Sequence, residues 1–253
     1  MKEFSITPLG TVSPYPKNDM NCPSFLIKFN DCNILLDCGN GSTRLLNFED
    51  DLSNLNVIIT HYHKDHFGDI GAIQYASYVY HNMGLLDKKV KVYLPYEDFQ
   101  DSKKSILDNT ESFVDYIDIY DNSSVDIENL HITFHDSKSH SIPSFMVKLE
   151  DENCKVIYTS DVGVNNFDDI VNFSMNADLL ISESSFLLKH NSSCKTHLTA
   201  YKAGELAKRS NTKRLLLTHF WPEVNKNEYL EESKKMFENS FVACEGKKLL
   251  LKK

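Results

Sequence analysis

The segment His61-Tyr62-His63-Lys64-Asp65-His66 concentrates four side chains that commonly bind metal ions. Neutral imidazole and carboxylate are the usual protein ligands of zinc and similar ions. Because alternate residues of an extended segment point the same way, His61 and His63 can bind one ion together. Asp65 and His66 follow at the turn into the next predicted helix and could bind a second ion nearby. The alternative is that polar residues only crowd a helix-entry loop, with Asp65 as its cap.

Polar residues also stand just after four apolar runs that we predict to be buried strands: His61, Asp161, Glu183 and His219. In sheets covered by helices, the loops at the carboxyl ends of the strands converge on a shared crevice. We therefore expect these four residues to face one site.

Short runs rich in β-branched and aromatic residues predict ten strands. These strands are Phe4–Leu9, Ser24–Phe29, Asn33–Asp37, Asn56–Thr60, Lys91–Leu94, Leu130–His135, Ser144–Leu149, Lys155–Tyr158, Leu179–Ile181 and Arg214–Thr218. Helices are predicted at Ile70–Tyr80, Glu97–Asn109, Asp168–Met175, Thr199–Ser210 and Asn227–Asn239. The class is therefore mixed α and β, and we expect one domain over residues 1–253.

The composition is that of a globular protein, with 41% hydrophobic and 25% charged residues among 253. We find no apolar run long enough for a membrane helix and no signal-peptide pattern, so we expect a cytoplasmic protein without a membrane partner. The six cysteines include no Cys-x-x-Cys pair, which argues against a zinc ribbon or a disulfide framework. The net charge of −9 weighs against extended, non-specific nucleic-acid binding.

The pattern Thr-His-x-His-x-Asp-His after an apolar strand resembles the signature of the metallo-β-lactamase superfamily. Within it the chain is most similar to ribonuclease Z and its small phosphodiesterase relatives that lack an arm. Two further segments carry this resemblance, Pro8-Leu9-Gly10-Thr11 and Leu36-Asp37-Cys38-Gly39-Asn40-Gly41-Ser42-Thr43-Arg44. The resemblance implies a four-layer αβ/βα sandwich, of the α+β class (α/β in some schemes).

The resemblance also implies two divalent metal ions, expected to be zinc with manganese or iron as alternatives, which share a hydroxide nucleophile. One ion would be held by His61, His63 and His140 and the other by Asp65, His66 and His219, with Asp161 bridging the two. Asp65 is counted among the catalytic residues as well. Taken singly, His140 could be a surface-loop residue, Asp161 a turn former and His219 a strand-end histidine.

A proton donor at His197, oriented by Glu183, is a further implication of the resemblance, and it would protonate the leaving oxygen. Thr199 would cap the helix that begins there, and the helix start would favour a substrate phosphate. The plainer alternatives are that Glu183 caps a helix and that His197 hydrogen-bonds a loop. Asp37 either supports a ligand histidine or hydrogen-bonds its own loop. The histidines without a matching family position are interpreted as structural: His81, His131, His135 and His190.

In ribonuclease Z a long arm that grips tRNA lies between the positions matching His140 and Asp161. Here only twenty residues separate them, and Ser144–Tyr158 predicts two strands joined by a turn. We therefore expect a phosphodiesterase that acts on a small or short phosphodiester. The alternatives are a tRNA 3′-processing endonuclease, a lactone or thioester hydrolase, and a non-catalytic metal-binding or RNA-binding scaffold. The relatives also suggest a homodimer.

Overall fold

The computed structural model of the chain describes residues 4–97, 101–108, 112–190 and 193–251. Within these residues the strands form two mixed sheets of seven strands each. The chain divides into two compact units, which we describe separately. The first contains the described residues up to Ile119 and those from Cys244 onward, and the second runs from Tyr120 to Ala243.

The sheet of the first unit is antiparallel on one side and parallel on the other. Its strands are β1 (Phe4–Gly10), β2 (Ser24–Phe29), β3 (Cys32–Leu36), β4 (Leu55–Ile58), β5 (Val90–Pro95), β6 (Val114–Ile119) and β14 (Leu249–Leu251). They lie in the order β14-β1-β2-β3-β4-β5-β6, with parallel pairing from β3 to β6. Every residue of β3 and β4 is buried, as expected for parallel strands covered on both faces.

The described residues of the first unit include four α-helices: α1 (Phe48–Asp51), α2 (Lys64–Phe67), α3 (Ile70–Asn82) and α4 (Ser102–Leu107). α3 buries Ile70, Ile73, Gln74 and Ser77, which recur at helical spacing on one face. The Gln74 amide on this face donates hydrogen bonds to the Tyr116 hydroxyl at 2.6 Å and to the Ile106 carbonyl at 2.8 Å. α3 is thus fixed to β6 and α4 by a satisfied buried polar group.

The second unit repeats this design. Its strands are β7 (Ser124–Ile127), β8 (Leu130–Asp136), β9 (Phe145–Glu150), β10 (Lys155–Tyr158), β11 (Leu179–Glu183), β12 (Leu215–Thr218) and β13 (Ser240–Val242). Pairing is antiparallel from β7 to β10 and parallel from β10 to β13. The helices are α5 (Phe167–Phe173), α6 (Ala200–Arg209) and α7 (Lys226–Lys234).

All ten predicted strands are present, with ends that differ by at most two residues. The mixed class is confirmed. Four strands escaped prediction, β6, β7, β13 and β14, because they are short or carry charged residues that break the apolar pattern.

Two predicted helices were too long. The helix expected over Glu97–Asn109 is observed only as α4, and residues 98–100 and 109 lie outside the described part. The helix expected to reach Asn239 ends at Lys234, because the chain must turn there to enter β13 beside β12. Among the described residues, no helix combines the length and apolar character needed to cross a membrane. The single domain over residues 1–253 stays a prediction.

Candidate metal centre

The first unit brings four predicted ligands together, His61 and His63 in the loop after β4 and Asp65 and His66 in the short helix α2. The nearest ring nitrogens of His61 and His63 are 3.1 Å apart, and His66 Nε2 lies 3.7 Å from Asp65 Oδ2. The rings of His61 and His66 have centroids 4.1 Å apart. His61 and His66 are fully buried, which is unusual for polar side chains that serve only a turn. The local motif therefore folds its donor atoms into one cluster.

Asp37, which follows β3, orients this cluster. Its Oδ2 accepts a hydrogen bond from His66 Nδ1 at 2.7 Å, and its Oδ1 accepts from the Thr60 amide at 2.9 Å. Asp37 has φ of +57°, a conformation that a non-glycine residue holds only when its surroundings fix it. The first interpretation of Asp37 fits these contacts, since its carboxylate holds His66, a predicted ligand, and also bonds to Thr60 after β4. The proton on Nδ1 leaves Nε2 of His66 as the lone-pair nitrogen.

Two further residues of the first unit that position candidate ligands were not predicted from the sequence. Thr60 Oγ1 donates to Asp37 Oδ1 at 2.9 Å and lies 3.2 Å from His61 Nδ1, so it can accept the Nδ1 proton. Ser13 Oγ donates to Asp65 Oδ2 at 2.8 Å. Ser13 is 52 positions before Asp65, and nothing in the local sequence signals that contact.

The second unit brings together His140, Asp161 and His219. Asp161 follows β10, and its two carboxylate oxygens face different rings: Oδ1 is 3.0 Å from His219 Nε2, and Oδ2 is 3.7 Å from His140 Nε2. The other ring nitrogens are held by neutral groups. His140 Nδ1 donates to the Thr196 carbonyl at 2.9 Å, and His219 Nδ1 lies 2.8 Å from Ser185 Oγ. His219 has φ of +64°, a second strained position at the end of a buried strand.

Gly163 explains how three loops of the second unit approach one another. Its amide donates to Ser139 Oγ at 2.9 Å, beside His140, and a Cβ at this position would lie 1.9 Å from the Lys195 carbonyl oxygen. The loop after Asp161 therefore packs against the loops that carry His140 and His197, and only a residue without a side chain allows this contact.

The predicted pair of Glu183 and His197 is formed. His197 Nδ1 lies 2.9 Å from Glu183 Oε1, at the end of β11. Glu183 is buried, and its oxygens also accept hydrogen bonds from the Val162 amide and the Ser185 hydroxyl. These donors fix the position of the buried carboxylate. Glu183 therefore does not cap a helix.

The pKa of His197 is raised. Burial by itself would lower this pKa, but the charge and hydrogen bond of Glu183 outweigh burial, and Asp161 adds to the effect. Donor atoms of His197, Asp161 and His219 all lie within 4.8 Å of one another. The His197 imidazole is thus held beside the candidate ligands of this unit.

The start of α6 does not offer the expected place for a phosphate. Thr199 caps the helix as predicted, accepting from the Lys202 amide at 3.1 Å. However, the Tyr201 amide donates to the Glu232 carboxylate at 3.1 Å, and the Ala200 amide donates to the Phe186 carbonyl at 2.8 Å. The predicted attraction of a phosphate to this helix start was wrong, because the buried carboxylate of Glu232 in α7 already lies at the positive end of α6.

The remaining histidines contact residues outside these clusters. His81 stacks on Phe113, and its Nδ1 lies 3.0 Å from the Leu86 carbonyl oxygen. His131 pairs with Asp126, His135 lies between Asp121 and Asp169, and His190 stacks on Trp221.

The donor set in each unit fits divalent metal ions. In the first unit Asp37 and Thr60 hold the Nδ1 atoms of His66 and His61, and in the second Ser185 and the Thr196 carbonyl hold those of His219 and His140. Each of these rings thus presents its Nε2 atom to its cluster. Such outer partners are characteristic of metal-binding histidines, because they fix the tautomer and the ring orientation.

Comparison with known proteins agrees with the fold. The β-lactamase superfamily domain matches residues 32–220, about three quarters of the chain. A probable metallo-hydrolase of Bacillus subtilis, YhfI, is 26% identical over 217 residues, which cover 85% of this chain and 86% of that protein. Ribonuclease Z of Archaeoglobus fulgidus is 28% identical over an alignment of 298 residues, with 95% of each chain covered.

Solved structures show the same fold. The crystal structure of the metallo-β-lactamase fold protein YhfI from Bacillus subtilis superposes with a TM-score of 0.88 at 25% identity, covering 98% of this chain and 99% of that one. A diphosphatase of the PhnP family superposes with a TM-score of 0.74 at 14% identity and 98% coverage of both chains, which shows the fold alone. The chain therefore belongs to the metallo-β-lactamase superfamily of metal-dependent hydrolases, and ribonuclease Z is among its relatives.

Proposed function

We propose that the chain is a dinuclear metal-dependent phosphodiesterase and that its two units form one catalytic domain. His61, His63 and His140 would hold one ion and Asp65, His66 and His219 the other, with Asp161 between them. The support is that one family model runs through both units and that each unit presents oriented imidazole and carboxylate donors. Zinc is the expected metal, with manganese or iron as alternatives. Such an ion pair lowers the pKa of water and neutralises charge that develops on phosphoryl oxygens.

The observation that carries the proposal is the 2.9 Å contact between His197 and Glu183. In hydrolysis, the oxygen of water bonds to phosphorus, the bond from phosphorus to the leaving oxygen breaks, and the leaving alcohol needs a proton. His197 supplies this proton, and Glu183 holds its ring and favours its charged form. A thiolate leaving group is far less basic than an alkoxide, so a thioester hydrolase has less need of such a donor. Asp65 contributes as a ligand whose orientation Ser13 fixes.

A small or short phosphodiester is the proposed substrate. β9 and β10 are joined by a tight turn in which Asp151 accepts hydrogen bonds from the amides of Asn153 and Cys154. The segment between His140 and Asp161 thus holds a hairpin with no room for an arm. The alignment with the archaeal ribonuclease Z exceeds the 253 residues of this chain, so that relative has insertions that this chain lacks.

Processing of tRNA 3′ ends is the second candidate, because the ribonuclease Z similarity covers 95% of both chains. A panel with pre-tRNA, a cyclic nucleotide and a short dinucleotide separates the two. Cleavage of pre-tRNA with a far higher kcat/KM than of the small substrates would favour the nuclease. We further propose that the protein is cytoplasmic and forms a homodimer. Light scattering of the purified protein would test the dimer.

The proposal is tested with bis(p-nitrophenyl) phosphate and metal-loaded protein. We expect release of p-nitrophenol that a chelator abolishes and that added zinc or manganese restores. A matched lactone and thioester should react much more slowly. Turnover of either without turnover of the phosphodiester would replace the substrate class. A protein that binds two ions but hydrolyses none of these compounds would be a metal-binding scaffold.

A further inference from the structure

Trp221 forms an open aromatic surface in the second unit. It is the single tryptophan of the chain and follows His219 by two positions. Its ring is 37% exposed, whereas Phe220 beside it is fully buried. His190 covers one face of the indole, with centroids 4.9 Å apart and planes 19° from parallel, and Phe186 meets it edge-on at 5.0 Å. The indole is therefore packed against His190 and Phe186 and still partly exposed to solvent.

The surroundings of this ring are rigid. The Trp221 amide lies 3.2 Å from the buried Tyr229 hydroxyl, which lies 3.3 Å from the Ser185 carbonyl. On the other side, the Leu187 amide donates to His190 Nδ1 at 3.1 Å, and the Leu188 amide donates to the Glu232 carboxylate at 2.9 Å. An aromatic surface fixed in this way loses little conformational entropy when a ligand stacks on it.

Phe186 links this surface to the proton donor. Its ring centroid is 6.1 Å from that of His197 and 5.0 Å from that of Trp221. The ring of Phe186 thus contacts both Trp221 and His197, the residue that would protonate the leaving oxygen. A substituent on the leaving alcohol is the part of the substrate that can reach it.

We propose that Trp221, backed by His190, stacks on a nucleobase carried by the leaving group of the phosphodiester. This specificity role rests on the proposed function, and it gives His190 a part in substrate binding instead of the structural role assigned from the sequence. Stacking suits a chain with a net charge of −9, because it recognises the base without a basic groove along the phosphate backbone.

The test uses binding, so it does not depend on turnover. Metal-loaded protein is titrated with adenosine 5′-monophosphate and with ribose 5-phosphate, which differ only in the base, while the fluorescence of the single tryptophan is followed. We expect the nucleotide to quench the fluorescence and ribose 5-phosphate to leave it unchanged. Calorimetry should show that the nucleotide binds at least tenfold more tightly, as stacking of one base allows.

Variants separate stacking from a packing role. Trp221→Ala should weaken nucleotide binding about tenfold and leave ribose 5-phosphate binding unchanged, while Trp221→Phe should retain most of the affinity. Phe241→Ala, which removes an even more exposed ring from the edge strand β13, is the control and should change the binding of neither ligand.

Equal affinities for the two ligands, or a nucleotide that binds without quenching, would overturn the inference. Absence of measurable nucleotide binding would overturn it as well. If the nucleotide stacks on Trp221 but no phosphodiester is hydrolysed, the proposed function fails while this site stands.

Discussion

The two units supply their candidate ligands in different ways. In the first, the four donors lie within six consecutive residues, and a buried carboxylate, Asp37, orients one of their histidines. In the second, the donors come from three separate loops, and their histidines are oriented by a hydroxyl and a carbonyl. The donors of the first cluster thus come from one local segment, although Asp37 and Ser13 position them from elsewhere in the chain. The second depends on tertiary packing, and it alone adds a candidate proton donor, His197.

The largest effect should come from this added group. His197→Ala should lower turnover of a phosphodiester with an alkyl leaving group about 100-fold or more and leave the metal content intact. With p-nitrophenol as leaving group the loss should be much smaller, because p-nitrophenolate leaves without a proton. Kinetics on both esters and metal analysis of the variant check this. Loss of metal, or equal losses on both esters, would show that His197 is not the donor.

The groups that orient the candidate ligand histidines should affect metal affinity more strongly in the first unit than in the second. Asp37→Asn removes the charge that polarises His66 and should weaken metal binding about 10- to 100-fold. Ser185→Ala removes a neutral partner of His219 and should weaken it less. Competition with a chromophoric chelator measures both, and His131→Ala, an exposed histidine outside the clusters, is the control. A larger loss of metal affinity for Ser185→Ala than for Asp37→Asn would contradict this difference between the two units.

The close packing of the three loops in the second unit should contribute to stability. Gly163→Ala places a methyl group against the Lys195 carbonyl and should lower Tm by about 5 °C or more. Gly71→Ala, in α3, is the matched control, because a Cβ there meets no atom within 4 Å and alanine favours the helix. Thermal melts of the two variants should move in opposite directions. An unchanged Tm for Gly163→Ala would mean that the close contact between the three loops does not contribute to stability.

The smallest effect concerns the thiols. Burial raises the pKa of Cys22 in the first unit and of Cys154 in the second from the ordinary 9.0 to about 12. Both stay neutral when folded, so their contribution to stability is present below pH 9 and is lost as the pH rises from about 9 toward about 12. At pH 8 a thiol reagent should label the exposed Cys244 quickly, the half-buried Cys154 more slowly, and the buried Cys22 only on unfolding. Rapid labelling of Cys22 would contradict its burial.

The same difference decides how much could be predicted from the sequence. The cluster of the first unit could be predicted from the sequence, because His61, His63, Asp65 and His66 form one local pattern after an apolar strand. Asp161 and His219 were indicated by their place after apolar strands, but their role as ligands came from the resemblance to a family. His140 is a single polar residue in a loop and could be found only through that resemblance. Their orienting partners, such as Ser185 and the Thr196 carbonyl, were missed because hydroxyls and carbonyls occur everywhere along the chain. The acid at the start of α6 was missed because Glu232 reaches it from another helix.

The central proposal is that residues of both units hold the same metal ions. The most direct measurement is the metal content of His63→Ala, His140→Ala and the double variant after dialysis. We expect about two ions per wild-type chain and about one in each single variant. Because both histidines are proposed to hold the same ion, the double variant should also retain about one. A double variant that loses both ions, or a His140→Ala variant that loses none, would contradict the shared site.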